Sequence, residues 1–175
     1  MYQVSMPRVA VFCVGNRLHL DDGVGGAVYD QVMERFDVPE GVELFDLGVL
    51  TMDMINYVDG CDAIITIDAI EYSGEPVGTV LRGSPQDLAR SLGANISMHD
   101  LRLVDLFDAA LLLGYECEGV CLGIQVQDTQ PPILTEDLTP DVRAAIPLLI
   151  ETLAAELARL GYPLIDKATG ESYCG

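Results

Sequence analysis

Ala63-Ile64-Ile65-Thr66-Ile67-Asp68-Ala69-Ile70 is apolar at every position except Thr66 and Asp68. A short run of this kind, rich in β-branched residues and lacking polar alternation, suits a strand buried on both faces. Val9-Ala10-Val11-Phe12-Cys13-Val14 reads the same way. Beyond it the turn Gly15-Asn16 leads through Arg17–Leu20 to Asp21-Asp22-Gly23, and apolar residues then recur at Val24, Val28, Val32 and Phe36, the stripe of a helix. Val42–Leu47 is expected to be a strand with Asp46 near its end, and 51–58 a helix with Thr51 as cap. The pattern continues with a strand at 79–82, a short helix at 85–92, and a longer one at 99–113 with Leu103, Leu106 or Phe107, Ala110 and Leu113 on one side. The last strand is expected at 120–126. Thr139-Pro140 then opens a final helix, threonine as cap and proline at the first helical position, running to about Leu160. Pro147 inside it marks a kink or a second start. Strands alternating with helices predict an α/β fold: a three-layer α/β/α sandwich with a mostly parallel central sheet. One domain is expected over 1–175, with its core at about 8–161 and a loosely held tail at 162–175.

Composition narrows the function classes. The chain has 175 residues, half of them apolar, and carries 28 acids against 9 bases for a net charge of −19. A surface so acidic repels phosphate backbones and anionic lipid, so nucleic-acid binding is not expected. No stretch reaches the roughly 18 uninterrupted apolar residues of a membrane span, so no membrane insertion is expected either. The apolar run Val9–Val14 is too short for a secretory signal and is cut off by Gly15-Asn16. The five cysteines (Cys13, Cys61, Cys117, Cys121, Cys174) lack zinc-ribbon spacing and read as thiols in a reduced, cytoplasmic protein.

Open α/β sheets bind ligands beyond the carboxyl ends of their strands. Asn16 follows the first strand, Asp46 ends the second, Asp68 lies near the end of the third, Asp22 sits at a helix start, and His99 at a loop–helix junction. Asp68 is the most informative of them. A carboxylate in so apolar a run costs several kcal/mol unless it is paired, protonated or bound to metal, so it either bonds a neighbouring loop or serves a site. Asp22 is a helix cap or a ligand, and Asp21 is available to take the capping role. His19, in the first loop, is a peripheral ligand or simply exposed. Together Asp22, Asp68 and His99 would make a mixed oxygen and nitrogen shell suited to a borderline divalent ion such as nickel or zinc. Other templates fail: there is no G-x-S-x-G elbow, no dinucleotide or Walker glycine pattern after the first strand, and Cys61 lies in an acidic setting that suppresses its thiolate.

The motifs in order are Val14-Gly15-Asn16-Arg17-Leu18-His19-Leu20-Asp21-Asp22-Gly23-Val24-Gly25, Ile67-Asp68-Ala69-Ile70, Ile96-Ser97-Met98-His99-Asp100-Leu101 and Gly123-Ile124-Gln125, with Leu138-Thr139-Pro140 before the final helix. From about residue 9 to 160 this ordered set resembles the hydrogenase maturation endopeptidases. These are small cytoplasmic proteins that remove the C-terminal extension of a NiFe-hydrogenase large subunit after nickel insertion. The resemblance implies that Asp22, Asp68 and His99 contact the metal. It also implies that the nickel arrives with the precursor, zinc or cadmium serving as a surrogate in the isolated protein, which is expected to be a monomer. Asp46 matches a further acid in the family's D-G-G-T-x-G segment, associated with precursor recognition. This chain keeps Asp46 and Gly48 there and departs at Leu47, Val49 and Thr51. Gly48, Thr51 and, from the opening motif, Asn16 are the expected precursor-binding residues.

Two routes to bond cleavage are open: a metal-activated water, or Asp46 or Asp22 as general base. Two competing readings use the same residues. A non-proteolytic nickel checkpoint or chaperone would keep the metal site without the cleavage. A receiver-like signalling module would also gather acids at these strand ends, but it needs a lysine after the fifth strand, and the only lysine is Lys167 in the tail.

Overall fold

The computed structural model of the chain describes residues 8–87, 103–127 and 132–175. β1 (Val9–Val14) lies between β3 (Val42–Leu47) and β4 (Ala63–Ile70), parallel to both, and β6 (Glu118–Gln125) extends the sheet parallel to β4. β5 (Val80–Gly83) is antiparallel to β6, giving the order β3-β1-β4-β6-β5. The central strand β1 is apolar and buried at every position because both its faces are covered.

Side-chain alternation assigns each face its partner. Val9, Val11 and Cys13 of β1, Ala63, Ile65 and Ile67 of β4, and Leu122 and Ile124 of β6 cluster with Val24, Val28 and Val32 of α1 (Val24–Arg35) and with Leu149, Leu153 and Leu157 of α4 (Pro140–Arg159). On the opposite face Ala10, Phe12, Ile64 and Cys121 meet Val58 of α2 (Ile55–Gly60) and Leu106 and Ala110 of α3 (Leu103–Leu112). This is the expected three-layer sandwich, and the stripe Val24, Val28, Val32, Phe36 is buried throughout.

Several details differ from the sequence reading. The 51–58 segment is a short 3-10 turn (Met52–Met54) followed by α2, and Thr51 makes no side-chain cap bond. α4 runs unbroken through Pro147, which lies on its exposed side. Leu113 falls just beyond α3 and is 59% exposed rather than continuing the buried stripe. The chain beyond Gly161 is not loose. β7 (Leu164–Asp166) and β8 (Ser172–Tyr173) form a second, antiparallel sheet with β2 (Phe36–Asp37). Leu164 is fully buried there, and the Arg35 guanidinium stacks 4.7 Å from the Phe36 ring and 4.8 Å from the Tyr173 ring. Strands of two and three residues are too short to show a period, so the sequence pattern carries no signal for this sheet.

Candidate active site

The order β3-β1-β4 places a topological switch at β1, since the chain leaves β1 toward β3 on one side and later returns to β4 on the other. The crevice beyond the carboxyl end of β1 is therefore the expected site of chemistry. Register brings the acids there: Cys13 pairs with Asp46 on β3 and with Ile67, the residue before Asp68, on β4.

The turn after β1 is held by its neighbours on three sides. Gly15 N–H donates to the carbonyls of Leu47 (3.1 Å) and Gly48 (3.3 Å), tying the turn to the end of β3. Asn16 N–H donates to Asp22 Oδ2 at 2.8 Å, which closes the turn on itself, while the Asn16 side chain accepts from Leu18 N–H at 2.9 Å. The backbone at 18–20 pairs with Thr135: Thr135 N–H donates to Leu18 O at 2.8 Å and Leu20 N–H to Thr135 O at 3.1 Å. His19 in this bridge is half-buried, between the two sequence readings for it.

Asp21 and Asp22 divide their roles differently from a simple helix cap. Asp21 is buried, and its carboxylate accepts from Thr139 N–H (2.7 Å) and Thr139 Oγ–H (2.8 Å). The threonine expected to cap α4 thus spends its hydroxyl on Asp21, which ties the first loop to the start of the last helix. Truncation in Asp21→Ala strands both Thr139 donors in a part-buried setting. A destabilisation of about 2–4 kcal/mol is expected, read from urea unfolding midpoints, with Asp21→Asn losing less because its amide oxygen still accepts.

Asp68 lies near the end of β4, its Oδ1 accepting from Ala69 N–H at 2.8 Å. Burial pushes its carboxyl up to about 7, and the charge of Asp22 pushes the same way, against the Ala69 bond. Two carboxyls in one low-dielectric crevice make a poor pair for each other and a good one for a cation. The donor set fits part of a divalent shell. Among the described residues no group of three or more His, Cys, Asp and Glu is close enough to hold a metal ion. His99 lies outside the described residues.

Asp46 faces a different partner. Its Oδ2 accepts from Arg17 Nε (3.0 Å) and Nη2 (2.8 Å), and Arg17 also reaches Asp30 and the Gly26 carbonyl. Sequence reasoning missed Arg17 and Asp30. The one available signal was a lone cation inside the acidic turn motif. Gly48 and Thr51 are exposed on the segment leaving β3. At the end of β6, beside Ile70 of β4, buried Gln125 accepts from Ser73 N–H (2.9 Å) and from the Ser73 hydroxyl, fixing the loop that follows Asp68. Burial pushes the thiols of Cys13 and Cys117 up to about 12 and those of Cys61 and Cys121 to about 11. None is a nucleophile near neutral pH. For Cys61 burial, more than its acidic neighbours, is the main cause.

This fold, with acids gathered at its topological switch point, defines an α/β protein with a candidate catalytic crevice, and comparison with known proteins supplies its kind. Residues 27–156 match the hydrogenase maturation protease (HycI) family model. The chain is 32% identical over 161 residues to the hydrogenase expression/formation protein HupD of Bradyrhizobium diazoefficiens, spanning 88% of this chain and 80% of that one. It is 27% identical over 161 residues to the hydrogenase 2 maturation protease of Escherichia coli, spanning 91% and 96%. The solved structure of the hydrogenase maturating endopeptidase HybD from E. coli superposes with a TM-score of 0.77 at 27% identity, covering 92% of this chain and 98% of that one. The chain belongs to the hydrogenase maturation protease family. The receiver-like reading is set aside by this match.

Proposed function

We propose that this protein is a nickel-dependent endopeptidase that removes the C-terminal extension from the precursor of a NiFe-hydrogenase large subunit after nickel insertion. Asp22, Asp68 and His99 contact the nickel, which is part of the substrate. The observation that carries this reading is the Asp22–Asp68 pair: two carboxyls near enough for the charge of Asp22 to push the Asp68 carboxyl up, at the switch point of a maturation-protease fold. An incomplete shell suits a metal delivered by a partner, because positions remain open for the precursor's own ligands.

The surroundings support a protein substrate. The loops leaving the carboxyl ends of β1, β3, β4 and β6 expose Leu18 (45%), Val49 (69%), Met52 (48%), Tyr72 (65%), Ile133 (75%) and Leu134 (62%). Large apolar side chains exposed on several loops at one edge are the kind of surface that a folded partner covers. Asn16, Gly48 and Thr51 lie on these same loops and are the proposed precursor contacts. Among the described residues no helix is long and apolar enough to cross a membrane.

The test compares nickel-loaded with nickel-free precursor by mass spectrometry. Loss of the extension is expected from the loaded form alone, and no product is expected from His99→Ala. Equal cleavage of both forms would overturn the nickel dependence. Nickel-dependent association without any product would favour the checkpoint reading instead.

A further inference from the structure

The Asp46 carboxylate, proposed above as a candidate base, is gripped by a side chain that no part of the functional reading uses. The Arg17 guanidinium contacts three residues on two different elements. Nε and Nη2 donate to Asp46 Oδ2 at the end of β3 (3.0 and 2.8 Å), and Nη1 and Nη2 donate to the two oxygens of Asp30 on α1 (2.6 and 2.9 Å). Nη2 also reaches the Gly26 carbonyl in the first turns of α1 at 3.1 Å. Gly26 is shaped to this arrangement: a Cβ there would fall 2.6 Å from Arg17 Nε and 2.8 Å from Cζ, so any larger residue would expel the guanidinium. The bonds to Asp30 and Asp46 hold Arg17 firmly in its charged form.

Isolated ion pairs at a surface contribute little, since each long side chain must be ordered to make one weak contact. Arg17 differs because one planar fork engages two carboxylates and a carbonyl at once, a geometry that lysine cannot reproduce. Arg17 also sits one residue after Asn16, whose N–H holds Asp22 Oδ2. The clamp therefore joins the turn carrying Asp22 to the strand end carrying Asp46.

We propose that Arg17 is a positioning residue that locks Asp46 and the Asp22 turn into one fixed arrangement through its bonds to Asp46, Asp30 and Gly26. It touches no reacting atom and acts through Asp46. This rests on the endopeptidase reading for its effect on rate, but not for its effect on the turn.

Two measurements test it. In precursor cleavage, Arg17→Ala is expected to lower kcat about ten- to a hundredfold with KM changed by about twofold or less, the signature of misplaced groups rather than lost binding. Arg17→Lys should recover only part of the rate. In an Asp46→Asn background the further loss from Arg17→Ala should shrink well below its value in the wild type, because one of the groups it positions no longer contributes. Independently of any activity, amide hydrogen exchange by NMR should be about tenfold faster at Asn16 in both Arg17→Ala and Asp46→Asn, with the β1 amides unchanged. Losses that multiply in full in the double variant, or Asn16 exchange at the wild-type rate in Arg17→Ala, would overturn the proposal. If the wild type cleaves no precursor, the endopeptidase reading fails while the exchange experiment still decides whether the clamp exists.

Discussion

Asp68→Asn is expected to abolish removal of the extension from nickel-loaded precursor while making the isolated protein more stable above neutral pH. The two effects come from one environment. Burial and the neighbouring Asp22 hold the Asp68 carboxyl at about 7, against 3.8 for an ordinary aspartate. The folded state therefore binds this proton more tightly than the unfolded chain does. The stability that Asp68 contributes is fullest below pH 4 and falls as pH rises from about 4 to about 7, where the folded state resists ionisation and the unfolded chain does not. At about 1.4 kcal/mol per unit the ceiling on this penalty is roughly 4 kcal/mol. Asparagine keeps an oxygen for the Ala69 N–H and carries no charge at any pH. At pH 8 the variant is expected to be at least about 1 kcal/mol more stable in urea unfolding, with the gap closing toward pH 4. A metal contact requires the ionised form, so the group that penalises the empty fold is the one that nickel would reward. Identical pH slopes in the two proteins would mean that Asp68 is not the titrating group. Cleavage by Asp68→Asn at the wild-type rate would remove it from the site.

How far the site could be read without the fold depends on how local each signal is. The β1 and β4 strands were legible because burial on both faces selects apolar residues at nearly every position. Asp68 was legible for the same reason: a carboxyl in such a run has to be explained. The division of labour between Asp21 and Asp22 was only half legible. Asp21 does take a structural bond of its own, but its partner is Thr139, 118 residues away, and no local rule points there. Arg17 was hidden likewise, because its partners lie 13 and 29 residues on, on α1 and β3. Ion pairs are made by tertiary approach and leave no period in the sequence. The small sheet of β2, β7 and β8 was missed because its strands are shorter than any readable alternation. His99 rests on residue type and on the ordered motifs alone.

Gly15→Ala tests whether the turn geometry itself, rather than any one side chain, places Asp22. Gly15 has φ +123°, which L side chains rarely adopt, and a Cβ built there would lie 1.9 Å from the Asp22 carbonyl oxygen. That oxygen is backbone on the far side of the same turn and cannot rotate away. An alanine must therefore change φ, push the Asp22 peptide outward, or both. Either movement strains the bonds from Gly15 N–H to Leu47 and Gly48 and the bond from Asn16 N–H to Asp22 Oδ2. A destabilisation of about 2–4 kcal/mol is expected. The cleavage rate should fall by about a hundredfold or more at temperatures where the variant remains folded, because Asp22 is displaced from Asp68. Gly48→Ala is the matched control for stability: nothing lies within 4 Å of a Cβ built there, so its unfolding midpoint should stay close to that of the wild type. If Gly15→Ala keeps both stability and rate, the turn is not held as described, and the pairing of Asp22 with Asp68 loses its structural basis. If it loses stability alone while cleaving normally below its melting temperature, the glycine serves the fold, and Asp22 reaches its partner without a rigid turn behind it.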